Sequence, residues 1–176
     1  MWPPREGPID LEGLVGEYAD RVYGIALRIT GSPEEAEDAT QDVFLSAFRH
    51  RDRFRGEANV GTWLYRIAVN AALQIVRRRR PVEPLERTGY ASAEILDWST
   101  ELLQRLELSE LHATIARGMA LLPEEARVAL VLRDVEQFST AETAAILEIS
   151  EAAVKSRLRR ARVLLREYLS DYLEHQ

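Results

Sequence analysis

The sequence predicts an all-α protein made of two small helical domains joined by a flexible linker. Three observations carry this. Apolar residues recur at i, i+3 and i+4 almost throughout, and no segment alternates at period two for long enough to argue for a sheet. Helix start and stop signals divide the chain into segments of ordinary helix length. Pro81 and Pro84 then interrupt the pattern, and Pro81 to Tyr90 shows no periodicity. Residues 81–101 therefore read as the linker between a domain over 1–80 and one over 102–176. A chain of 176 residues, 46% hydrophobic and 30% charged, has the material for both cores.

The first helix is expected from Leu11 to about Ile29, with Leu14, Val15, Tyr18, Val22, Ile25 and Ile29 on its buried side and Gly31 as its stop. Ser32-Pro33-Glu34-Glu35 starts the next, with Ser32 as cap, proline in the first turn and Glu35 completing a capping box. That helix runs to about Phe48, burying Ala36, Ala39, Val43 and Ala47 and showing Glu34, Asp38, Gln41 and Asp42 outside. A third helix is expected from Thr62 to about Arg79, with a core stripe of Leu64, Ile67, Ala68, Ala71 and Ile75. After the linker, helical spacing resumes with Leu102, Leu103, Leu106, Leu111 and Ile115. Leu122-Pro123-Glu124-Glu125 starts another helix through Val128 and Leu132.

Phe138 to Arg166 reads as a short helix, a tight turn and a second helix with one apolar and one cationic face. Val154, Leu158, Ala161 and Leu165 form the apolar stripe, while Ala152 to Arg166 contains six bases and no acid. This is how a helix-turn-helix presents a recognition helix to the major groove. Ala144 allows the two helices to approach, Ser150 is a good N-cap, and Glu151 suits the positive end of the helix. On a wheel, Ala152, Lys155, Ser156 and Arg159 point away from the stripe. Lys155 or Arg159 suits guanine acceptors and Ala152 a thymine methyl, while Arg157, Arg160 and Arg162 lie where phosphates would be held.

Charge alternates along the chain beneath a net −6: residues 1–50 and 81–150 are acidic, 51–80 and 151–176 basic. Two cationic patches suggest two contacts with DNA, although Arg77 to Arg80 also close a helix where the macrodipole favours cations. Phe54, Trp63 and Tyr65 lie among Arg53, Arg55 and Arg66, a mixture suited to single-stranded DNA. Trp63 serves equally as a core residue.

Several function classes find no support. With no cysteine, the chain has no disulfide, no thiolate metal ligand and no thiol chemistry. His50, His112 and His175 stand in no metal-ligand spacing, no phosphate-binding glycine motif or nucleophile elbow occurs, and the acid pairs sit at helix starts where capping explains them. No catalytic residue, metal or cofactor is expected. No apolar run would span a bilayer and the start MWPPREGPIDLEG lacks a signal core, so the cytoplasm is the default compartment.

The blocks EEAEDATQDVFLSAFRHRDRFRG and GTWLYRIAVNAALQIVRRRR resemble region 2 of bacterial RNA polymerase sigma factors. LPEEARVALVLRDVEQFSTAETAAILEISEAAVKSRLRRAR looks like their region 4. The short linker, without the intervening region 3, is the layout of the extracytoplasmic-function branch. The resemblance implies a subunit that binds core RNA polymerase, selects promoters and helps to open them. It implies that Ser150, Glu151, Ala152, Lys155, Ser156, Arg157, Arg159, Arg160 and Arg162 meet the −35 element. Phe54, Arg55, Asn59, Trp63, Arg66, Asn70, Arg77 and Arg78 would meet the melted −10 element, with one base captured by the loop Arg55 to Gly61.

Asp38, Gln41, Asp42 and Phe44 would dock on the β′ coiled coil, and Leu130 to Asp134 against the β flap. An anti-sigma factor is implied as a further partner. No regulatory domain is expected beyond region 4. Glu148 departs from the family pattern, standing where glycine is usual because the backbone prefers φ > 0. Thr143 replaces a customary apolar residue. The rival reading is a helix-turn-helix regulator that acts without core polymerase, which leaves GTWLYRIAVN and the acidic second helix unexplained.

Overall fold

The computed structural model describes residues 11–51, 59–79 and 108–174, and every element among them is helical. Phe54, Arg55 and the expected linker lie outside the described residues. Three helices form the first group. The apolar stripe of α1, Leu11–Thr30, ends at Gly31, which takes φ 72° and donates its N–H to the Leu27 carbonyl at 2.7 Å. Ser32 then caps α2, Pro33–His50, by accepting from the Glu35 N–H. The expected capping box is only half made, because the Glu35 carboxylate turns to Arg79 Nε at 2.7 Å. A charged partner on the neighbouring helix outcompetes the neutral Ser32 N–H.

Ala36, Ala39, Val43 and Ala47 are fully buried, and these small side chains let α2 close against α1 and α3. Helix α3, Val60–Arg78, begins two residues earlier than expected because Asn59 is its N-cap, accepting from the Gly61 N–H at 2.8 Å. Its buried face is Val60, Leu64, Tyr65, Ala68, Val69 and Ala72, rotated from the expected stripe. Ile67, Ala71 and Ile75 are only partly buried at its border. Val15 is a second correction: it is 43% exposed, on the flank of α1 rather than in the core.

The second group comprises α4, Leu108–Leu121, α5, Glu124–Leu130, α6, Thr140–Leu147, and α7, Glu151–Glu174. Gly118 sets the distance between α4 and α7, since a Cβ there would lie 2.7 Å from Leu165 Cδ1 and 2.6 Å from Tyr168 Cδ1. Val131–Val135 continues α5 as a π-helical turn, closed by the Glu136 N–H on the Val131 carbonyl at 2.8 Å. Gln137 then takes φ 60° and reverses the chain. Ser139 and Glu142 exchange hydrogen bonds of 3.1 and 2.7 Å in a complete capping box, which starts α6 and holds the Glu142 carboxyl below its usual pKa.

The two groups share one continuous apolar core, running from Leu14 and Leu64 through Phe138 and Leu132 to Leu165 and Leu169. At their junction lies Arg127, 8% exposed. Its guanidinium donates to the carbonyls of Ile29 at 2.9 Å, Ala120 at 3.0 Å and Leu122 at 3.1 Å. Ile29 is in the last turn of α1, where unpaired carbonyls carry the negative end of the dipole. Burial lowers the Arg127 pKa from its ordinary value, and the three carbonyls answer that desolvation.

Candidate nucleic-acid interface

The helix-turn-helix is assembled as its sequence dictates. The Glu148 N–H and the Ile149 N–H both reach the Ala144 carbonyl, closing α6, and Glu148 adopts φ 54° and ψ 42°. A side chain is thus held in the left-handed region where glycine is the usual occupant, at a cost of about 1 kcal/mol. Ser150 starts α7, its Oγ accepting from the Ala153 N–H at 3.1 Å. Val154, Leu158, Ala161 and Leu165 are buried in a continuous row. Opposite them Glu151, Ala152, Lys155, Ser156, Arg159 and Arg160 are exposed.

Two of the arginines are committed elsewhere. Arg157 pairs with Glu125 at 3.1 Å. Arg162 forms a two-pronged fork on Asp134, at 2.9 and 2.7 Å, and that hydrogen bonding raises its pKa. Arg162 therefore braces α7 against the π turn, a role the helical wheel did not show.

Thr143 is fully buried in α6, and its hydroxyl meets no hydrogen-bond partner among the described residues. Thr143→Val keeps the branched shape and removes the stranded hydroxyl. We expect it to raise stability by about 1 kcal/mol. Urea unfolding followed by circular dichroism measures this, and a loss of stability would show that the hydroxyl has a partner.

On the first group, the residues expected at the −10 element divide three ways. Asn70 and Arg78 are exposed on α3. Arg77 pairs with Glu124 at 2.7 Å and Arg66 with Glu148 at 2.5 Å, so both reach the second group. Asn59 is engaged as the α3 cap, and Trp63 is partly buried against the core. Tyr65, named in the sequence only as an aromatic among arginines, belongs to the core. It is 3% exposed, edge-on to Tyr18 at 5.9 Å and tilted against Phe138 at 5.0 Å, and burial raises its pKa. It takes the core position because it continues the Gly61–Leu64–Ala68 face of α3.

The outer side of α2 holds a patch of different character. Asp38, Gln41 and Asp42 are exposed, as the sequence reading expects. Beside them Val15, Gln41, Phe44, Leu45 and Phe48 line a shallow apolar depression, with Leu45 52% and Phe48 50% exposed. The Arg51 guanidinium lies 4.5 Å from the Phe48 ring centre. The sequence reading named only Gln41 and Phe44 here. The missed signal was a second apolar set, Phe44, Leu45 and Phe48, on the helix side away from Ala36, Ala39, Val43 and Ala47. The expected flap contact fares differently: Leu130, Val131 and Leu132 are buried, leaving Arg133 and Asp134 partly exposed.

Comparison with known proteins agrees with this layout. Residues 14–82 match Sigma-70 region 2, and residues 112–165 match Sigma-70, region 4. The chain is 37% identical over 161 residues to the ECF RNA polymerase sigma factor SigE of Mycolicibacterium smegmatis, covering 90% of this chain and 61% of that protein. It is 32% identical over 165 residues to the ECF RNA polymerase sigma factor SigW of Bacillus subtilis, covering 90% of this chain and 88% of that one. The solved structure of CnrH, in complex with the cytosolic domain of CnrY, superposes with a TM-score of 0.67 at 25% identity, covering 92% and 88% of the two chains. With both regions matched in order and a relative aligned along nearly its whole length, the chain belongs to the extracytoplasmic-function branch of the sigma-70 family of RNA polymerase sigma factors.

Proposed function

We propose that this chain, as a sigma factor, binds core RNA polymerase and directs it to a specific set of promoters. Residues 1–80 would act at the −10 element and 102–176 at the −35 element. The observation that carries the reading is the outer face of α7, where Ala152, Lys155, Ser156, Arg159 and Arg160 stand exposed above a fully buried stripe. Asn70 and Arg78 on α3 offer a second polar and cationic contact to the melted strand. Opening would follow from differential binding, because unpaired bases held by region 2 favour the melted state. The acidic rim and apolar depression of α2 fit a basic partner helix with an apolar face, which agrees with the β′ coiled coil. A cytoplasmic site of action follows from this role, and CnrH, solved in complex with the cytosolic domain of CnrY, supports a second protein partner such as the expected anti-sigma factor.

Run-off transcription with core polymerase, followed by sequencing of the start sites, tests the proposal. Specific starts that depend on the added protein are expected. Tight operator binding without polymerase, and no effect on initiation, would favour a self-sufficient regulator instead.

Within this reading Arg159 and Arg160 have separable roles. Arg159→Ala should relax preference at one or two −35 positions, with a loss of about 1–3 kcal/mol of discrimination. Arg160→Ala, on the flank, should weaken binding on all sequences and reduce the salt slope by about one. Holoenzyme binding to a library of −35 variants at two salt concentrations separates them. Equal losses on every sequence would show that α7 docks differently.

A further inference from the structure

Helix α7 carries Lys155, Arg159 and Arg162 at i, i+4 and i+7, one row along one face. Lys155 and Arg159 are exposed, with no ion pair among the described residues. Arg162 continues the row but is held back: its guanidinium grips both carboxylate oxygens of Asp134, at 2.9 and 2.7 Å. The Asp134 side chain is 25% exposed, so the fork lies at the edge of solvent. The pair of Arg157 with Glu125 is different in kind, a single contact at 3.1 Å to a largely exposed carboxylate.

The turn that carries Asp134 fixes its direction. Val131–Val135 is the π-helical continuation of α5, a backbone form frequent at functional sites. The Gln137 side-chain amide donates to the Asp134 carbonyl at 2.7 Å, and Arg133 donates to the Phe138 carbonyl, so the backbone is tied on both sides of the residue. The next acid, Glu136, faces α1 and takes Arg21 at 3.1 Å and Arg28 at 3.2 Å. Asp134 is therefore the carboxylate of this turn that serves α7. Beneath the proposed reading half of α7 the core is small, formed by Ala129, Ala144, Val154 and Leu158. Alanine faces present no ridge deep enough to stop a helix turning about its own axis, and the fork supplies that stop.

We propose that Asp134 is a positioning residue for the −35 element: it keeps Arg162 off the DNA backbone and so fixes the direction in which Lys155 and Arg159 meet the bases. The inference rests on the −35 reading of α7 above. A recognition helix enters the major groove by its N-terminal end. Arg162 lies two turns beyond Lys155, about 10 Å along the axis, where a groove about 12 Å wide gives way to phosphates. A phosphate offers Arg162 the same two-pronged, charge-assisted bond that Asp134 does. With the carboxylate present the arginine is already satisfied, and the negative charge beside it repels the backbone. Without it, Arg162 would take a phosphate on any sequence and turn α7 with it, adding affinity that carries no sequence information.

Holoenzyme binding to a library of −35 variants over a salt series tests this. Asp134→Asn is nearly isosteric, so the fold should persist, which circular dichroism checks. It should strengthen binding to a scrambled −35 sequence about threefold and steepen the fall of log affinity with log salt by about 0.9. Discrimination among −35 variants should drop about tenfold. Asp134→Glu restores a carboxylate and should bring back most of both properties. Adding Arg162→Ala to Asp134→Asn should return the salt slope to that of the native protein while discrimination stays low, because the phosphate contact goes and the stop is still missing. An unchanged slope in Asp134→Asn overturns the withholding of Arg162. So does a slope reduced by about 0.9 in Arg162→Ala alone, which would mean that a phosphate already holds it. Full discrimination in Asp134→Asn overturns the positioning role. A native holoenzyme with no −35 preference would instead overturn the reading of α7 itself, and the proposal with it.

Discussion

Arg127→Met should destabilise the folded chain by about 3–5 kcal/mol, the largest single-residue loss expected here. Methionine fills similar volume but donates nothing, so the carbonyls of Ile29, Ala120 and Leu122 lose a buried donor together. Arg127→Lys should fall between the two, because one ammonium cannot span three acceptors in the guanidinium plane. Urea unfolding gives the values, and a loss below about 1 kcal/mol would mean that water replaces the guanidinium. The Ile29 bond joins the two groups, so the loss should appear in both at once.

Loss of polymerase binding is the second large effect. Leu45→Asp with Phe48→Asp should lower affinity for core polymerase about 100-fold, the scale for removing two apolar anchors from an interface centre. Both side chains are half in solvent, so helical content should not change. Asp38→Arg with Asp42→Arg should weaken the same complex by a smaller factor that shrinks as salt rises, because exposed charges steer more than they hold. Pull-down with the β′ coiled coil measures both. Unchanged retention in both double variants would remove α2 from the polymerase interface.

Much of this arrangement was legible in the sequence because it rests on local rules. Gly31, Ser32 and Pro33 announce a helix boundary by their backbone preferences alone. The row Val154, Leu158, Ala161 and Leu165 fixes which face of α7 looks outward. The side of α3 was harder to read, since Tyr65 suits a base-stacking surface and a core equally, and only its neighbours Tyr18 and Phe138 decide. Arg127 and Glu136 were invisible for a related reason. A charged residue in an amphipathic helix reads as solvent-facing, and nothing local reveals a partner about 100 residues away. The pairing of Arg162 was hidden by the same logic, its partner Asp134 lying on a turn whose π geometry the sequence does not announce.

Helix α7 has a mechanical meaning beyond its chemistry. Its proposed reading end and its anchoring end form one unbroken rod, with Leu164, Leu165 and Leu169 fixed in the core and Ala152 at the far tip. At 1.5 Å per residue, Leu169 and Ala152 are about 26 Å apart. A tilt of about 8° at the anchor moves the tip by about 3.4 Å, the rise of one base pair. The contact of Gly118 with Leu165 and Tyr168 thus sits at the fulcrum of a lever. A methyl group there must displace the Leu165 or Tyr168 side chain, and any part of that displacement passed to the axis of α7 would be magnified at the Ala152 tip.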